Sequence, residues 1–107
     1  MSARLIDLAP VIRSKNAGPY EMTLDIIFRD HDTYEKVKSS GIINGALIAR
    51  LYGIKETDIE GIFEFDPAMA IKITFRRQLV SGDVGDTDIY GAQQSAPLMS
   101  LVLEGYK

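Results

Sequence analysis

The stretch "EMTLDIIF", residues 21–28, alternates with a period of two: Met22, Leu24, Ile26 and Phe28 fall on one side, and Thr23, Asp25 and Ile27 on the other. Successive side chains of an extended strand point to opposite faces, so the stretch reads as a strand buried along one face. Asp25 sits in its middle, where a carboxylate needs water or a partner. Lys72, on another strand-like segment, is the candidate partner.

Working outward from this strand, the chain keeps changing its period. Residues 3–9 read as a short first strand. Residues 10–19, ending in "RSKNAGP", show no apolar alternation and read as a loop. On the other side, Asp32 followed by Glu35 has the spacing of a capping box, which predicts a short helix over 33–40 closed by Gly41. Asn44 is placed to cap a second helix. Leu47, Ile48, Leu51 and Tyr52 form its apolar stripe and Gly53 ends it. The period returns to two in Ile59, Gly61, Phe63 and Phe65, and again in Met69, Ile71, Ile73 and Phe75. Asp66 and Pro67 between them suit a tight turn, so the pair reads as an antiparallel hairpin. "QLVSGDVGDTDIYGAQQSAP", residues 78–97, is a second loop, and residues 98–103 read as a last strand.

The simplest architecture is α+β: a mostly antiparallel sheet of about five strands with two short helices on one face. Leu24, Ile26, Leu51, Phe63, Ile71 and Ile73 are expected in one core. A chain of 107 residues with 46% hydrophobic residues can bury one ordinary core, so residues 1–107 are expected to form one domain.

Composition narrows function by exclusion. There is no cysteine and one histidine, His31, so thiolate and histidine-rich metal sites are ruled out and no metal or cofactor is expected. A net charge of −3 argues against a nucleic-acid binder. The opening "MSARLIDLAP" lacks the basic start and apolar run of a secretion signal, and no stretch reaches the roughly 20 apolar residues that span a bilayer. A soluble cytoplasmic protein is the expectation. The glycine-rich nucleotide motifs, the zincin motif and the hydrolase elbow are all missing. "GDTDIYG" fails as a calcium loop, because counted from Asp86 its fifth position is Tyr90 and its twelfth is Pro97.

Two polar constellations remain as candidate sites. In the first loop Arg13 and Lys15 suit a carboxylate or phosphate, Ser14 and Asn16 add neutral hydrogen-bonding groups, and Gly18 allows close backbone approach. In the second loop Asp88, Tyr90, Gln93 and Gln94 offer acceptors, a phenol and amides. Plain turn chemistry is the reading that spacing favours for the first loop, and for the second it stands level with a site. On spacing alone, an anion site and a plain turn stay open.

The segments "DLAPVIRSKNAGP", "TLDIIF", "LIARLYGI", "FDPAMAIKITF" and "GDTDIYGAQQSAP", in this order, resemble a small bacterial family catalogued as domain of unknown function 4387. The "DLA" run before Arg13, Ser14 and Gly18 is more distantly similar to the C-terminal ferredoxin-like domain of acyclic-terpene-utilisation (AtuA-like) proteins, with one residue more between Ala9 and Arg13. This resemblance implies a ferredoxin-like fold. It also implies a small, non-catalytic subunit beside a large AtuA-like chain that acts on an organic acid or acyl-CoA, with an acidic small molecule as possible ligand. A homo-oligomer is the other assembly expected, since an open sheet leaves unpaired edges. The alternative is a stand-alone small-molecule enzyme or binding protein with its pocket between the loops 10–19 and 78–97.

Overall fold

The computed structural model describes residues 2–18, 20–76 and 96–104. In chain order its elements are β1 (Ser2–Arg4), α1 (Leu5–Leu8), β2 (Val11–Gly18), β3 (Glu21–Ile27), α2 (His31–Ser40), α3 (Gly45–Tyr52), β4 (Ile59–Phe65), β5 (Ala70–Arg76), α4 (Ala96–Met99) and β6 (Val102–Glu104). Four strands make an antiparallel sheet in the order β2-β3-β5-β4, and β1 pairs with β6 in a separate two-stranded ribbon. The fold is α+β, as the alternating periods require.

The alternation in β3 is the seam of the core. Met22, Leu24 and Ile26 are fully buried and lie opposite Phe75, Ile73 and Ile71 of β5. Each such side chain contributes roughly 1.5–3 kcal/mol on burial. The same cluster takes in Tyr34 and Val37 from α2 and Ile48 from α3, so both helices cover this face of the sheet. Leu5, Leu8, Leu98 and Leu103 extend it toward the ribbon.

Local chemistry sets the helix ends. The Asp30 carboxylate accepts the Thr33 N–H at 2.7 Å, so α2 starts at His31, ahead of the Asp32 start that the spacing predicts. Asn44 accepts the Leu47 N–H at 2.9 Å and caps α3 as expected. Gly41 and Gly53 close the two helices at φ 67° and 65°, a left-handed backbone that glycine takes without steric cost. A clamp then ties α2 to the turn between β4 and β5. There Tyr34 Oη donates to Asp66 Oδ1 at 2.5 Å and Lys38 Nζ to the same oxygen at 3.1 Å.

Several expectations need correction. Residues 10–19 are mostly strand, because β2 is held by its ladder to β3 and needs no apolar alternation to form. The first strand stops at Arg4, and the chain then coils so that Leu5 and Leu8 both enter the core. A helical turn, Ala96–Met99, and a shorter strand, Val102–Glu104, replace the strand expected over 98–103. The count of about five strands becomes four plus the ribbon. The element order β1-α1-β2-β3-α2-α3-β4 follows the β-α-β-β-α-β order of a ferredoxin-like fold, but β1 pairs with β6 outside the four-stranded sheet instead of joining it.

Phe63 is the correction with most consequence. A bulge between Ile59 and Gly61 puts one extra residue, Glu60, into β4. Ile59 and Ile62 therefore lie opposite Phe75 and Ile73 on the core side. Phe63 and Phe65 turn the other way and are 58% and 59% exposed. Leu51 is half-buried at the rim of the core, while Leu24, Ile26, Ile71 and Ile73 are buried as expected.

Two outcomes follow from this packing. Ile73→Ala should cost about 2–5 kcal/mol in urea denaturation, through lost burial and the cavity left behind. The bonds from Tyr34 and then Lys38 hold the Asp66 carboxyl below its ordinary value of 3.8. A carboxyl lowered in the folded state stabilises the fold above its ordinary value and loses that contribution as pH falls through the folded value. The melting temperature should therefore fall more steeply below about pH 4 in the native chain than in Asp66→Asn, with the two curves converging in acid.

Candidate functional site

The registers of the sheet define its second face, turned away from the helices. On β2 the odd positions Val11, Arg13 and Lys15 pair with Ile27, Asp25 and Thr23 of β3. Those three in turn pair with Ala70, Lys72 and Thr74 of β5, which pair with Phe65, Phe63 and Gly61 of β4. Directly opposite residues of an antiparallel pair point to one side, so all of these share the outer face.

A charged row crosses the middle of this face. Arg13, Asp25, Lys72 and Phe63 are lateral neighbours on four successive strands. Arg13 Nη2 lies 3.6 Å from Asp25 Oδ2, with the arginine side chain 64% exposed and the aspartate 17%. Asp25 is thus paired, as its place in a strand demands; Lys72, the partner expected from sequence, is its neighbour on the other side. With Lys15 one row away, three cations stand around one carboxylate, although the chain as a whole carries −3. An ion pair this long and exposed contributes little to stability, which leaves the guanidinium available to a ligand.

Beside the charged row runs an apolar groove of about 340 Å³. Ile27, Ala68 and Ala70 line it, Phe63 and Phe65 flank it with Glu64 between them, and Arg13, Asp25 and Lys72 bound its polar end. This arrangement suits an anionic group attached to an apolar body: the cations hold the charge and the aromatic side chains cover the rest. Farther along the sheet, Tyr20, Glu21, Glu60 and Arg76 surround a hollow of about 420 Å³. A hydrogen bond with Glu21 raises the Glu60 carboxyl above its ordinary value of 4.5, with burial and repulsion from Glu21 adding to it and Arg76 opposing it.

The structure divides the first constellation. Arg13 and Lys15 are on the outer face, whereas Ser14 and Asn16 lie opposite Leu24 and Met22 on the helix side, both half-buried. Gly18 ends β2 beyond a bulge and pairs with Glu21. Asp88, Tyr90, Gln93 and Gln94 lie outside the described residues, and with 10–19 mostly strand the two-loop pocket loses one of its loops. Sequence reasoning missed the outward turn of Phe63 and Phe65 and the Glu21–Glu60–Arg76 cluster. The alternation of cations at 13 and 15 with neutral residues at 14 and 16 was the available sign that this segment is a strand. Among the described residues no group of three or more histidine, aspartate or glutamate side chains is placed to hold a metal, and no helix is long and apolar enough to cross a membrane.

Fold and face together define a small α+β domain of two layers, with helices on one side of the sheet and a cationic and aromatic surface on the other. Residues 5–102 match the family model described as Domain of unknown function (DUF4387), and the chain belongs to that family. No curated protein and no solved structure matches the chain.

The carboxyl pair gives a signed test. A carboxyl raised in the folded state lowers stability as pH rises from its ordinary value through the folded value, and the loss persists above it. Glu60→Gln should accordingly raise the melting temperature at neutral pH, and the gain should fade below about pH 4.

Proposed function

We propose that this chain is a small cytoplasmic accessory subunit whose outer sheet face binds an anionic group in company with a large AtuA-like catabolic protein acting on an organic acid or acyl-CoA. The observation that carries the reading is the surplus of positive charge on this face, from Arg13, Lys15 and Lys72 around Asp25, in a chain of net charge −3. The adjoining groove between Phe63 and Ile27 supplies an apolar surface next to the cations, as an acyl chain bearing a carboxylate or phosphate requires. Around the charged row the hydroxyl groups are those of Thr23 and Thr74, whose oxygens lie 3.5 Å from each other; the Tyr20 phenol stands apart, in the hollow with Glu21, Glu60 and Arg76. Binding and positioning, with the chemistry supplied by the partner, fit this set of groups better than catalysis by the chain alone.

The reading is tested by co-expressing the chain with an AtuA-like protein, co-purifying the two, and titrating the complex with an organic acid or acyl-CoA. Arg13→Ala should remove a charge-assisted hydrogen bond worth roughly 1.5–3 kcal/mol, lowering affinity about tenfold to a hundredfold. The melting temperature should hardly move, because the arginine is exposed. A complex that does not form, or an Arg13→Ala complex with native affinity and activity, would overturn the proposal.

A further inference from the structure

Among the described residues the sheet ends in two edge strands, β2 and β4, and an edge presents backbone groups that invite pairing. Among the described residues, 60–65 make backbone hydrogen bonds only to β5. The outer face of β4 shows Gly61, Phe63 and Phe65, the two aromatic side chains more than half exposed, and the charges of the strand are confined to Glu60 in the bulge and Glu64. We propose that two copies of the chain join antiparallel through the β4 edges into one continuous sheet, with Phe63 on the two-fold axis.

Symmetry and charge select that register. A two-fold axis perpendicular to the sheet keeps both outer faces on the same side, so each register is centred on one residue of β4 facing its own copy. Like charges directly opposite each other destabilise a sheet, and Glu64 is the strand residue that discriminates. Centring on Gly61 sets Glu64 against Asp58, on Ile62 against Glu60, on Glu64 against itself, and on Phe65 against Asp66. Centring on Phe63 sets it against Ile62 and uses the regular stretch 61–65, clear of the bulge. Phe63 then meets Phe63 of the second copy, and each Phe65 comes opposite a Gly61 whose open side the Phe63 ring already covers. Its own like-charge pair, Glu60 opposite Asp66, falls at the bulge and the turn beyond the regular stretch, where Lys38 Nζ stands 3.1 Å from Asp66 Oδ1 and offsets the repulsion.

The other edge is unsuited to self-pairing. The symmetric registers that overlap most of β2 are centred on Ser14, which sets Arg13 opposite Lys15, or on Lys15, which sets that lysine opposite itself. Two cations would face each other in either case. Pairing through β4 also places the two Lys72 side chains three strand spacings apart, ~14 Å, on one shared outer face. This inference stands apart from the partner reading, since it concerns the chain alone.

Sedimentation equilibrium of the purified chain tests it, with a dimer expected at micromolar concentration. Phe63→Lys should weaken the dimer at least about tenfold without unfolding the exposed site, while Arg13→Ala should leave it intact. Because the chain has no cysteine, single-cysteine variants locate the axis. Phe63→Cys should form a disulfide-linked dimer under mild oxidation, since opposite residues of an antiparallel pair lie within disulfide reach, and Phe65→Cys should not. A monomeric native chain, a dimer indifferent to Phe63→Lys, or cross-linking at 65 and not at 63 would overturn the proposal.

Discussion

The register between β3 and β5 is the constraint on which the rest of the structure depends. It sets Leu24 against Ile73 on the helix side and Asp25 against Lys72 on the outer side. A slip of one residue in β3 would turn Leu24 to the outside and carry Asp25 under the helices, where an unpaired charge costs several kcal/mol. Apolar burial on one face and charge on the other therefore specify the same alignment. Once it is fixed, β2 can bring Arg13 to Asp25, and β4 can bring Phe63 to Lys72.

What was legible in the sequence follows from which forces leave a local trace. β3 and β5 were readable because each is buried on one face along its whole length, so the pattern survives in Met22, Leu24, Ile26 and in Ile71, Ile73, Phe75. The caps of α3 and the glycines after both helices were readable because their chemistry is contained within a few residues. β2 left no apolar trace: Arg13 and Lys15 project to water, while Ser14 and Asn16 sit half-buried on the other side. Its strand state is imposed by the neighbouring ladder. The bulge at Glu60 was equally hidden, because an extra residue has meaning only relative to the partner strand, and Ile62 was its one local sign. For the candidate site this means that Arg13 and Lys15 and, separately, Asp25 beside Lys72 were found, while their union on one face with Phe63 and Phe65 was not.

Two irregularities of β4 shape the outer face. If Glu60 were taken into a regular ladder instead of a bulge, Phe63 and Phe65 would stay in phase with Ile59 on the core side, and the groove beside Lys72 would lose its aromatic flank. Gly61 has its own part: a Cβ there would run into the Phe63 ring, which folds back across the glycine along the same strand. The ring thus covers backbone that glycine leaves bare, and it keeps its far side exposed. A strand position of this kind is unfavourable for the isolated fold, since glycine weakens a strand interior and an exposed aromatic forgoes burial.

Asp25 explains how the cations can stand so close together. Arg13 and Lys72 flank it on adjacent strands, and without the carboxylate between them the two would repel each other across the narrow spacing of the sheet. Asp25 is the least exposed member of the ion pair, at 17%, so it is held in place while the arginine at 64% keeps its freedom. Neutralising one cation's worth of charge still leaves Arg13, Lys15 and Lys72 with a positive excess on this face. In a chain that is acidic overall, this cluster of three cations sets the middle of the face apart, with Glu64 in the groove and Glu21 farther along the sheet as its nearest acidic neighbours beside Asp25.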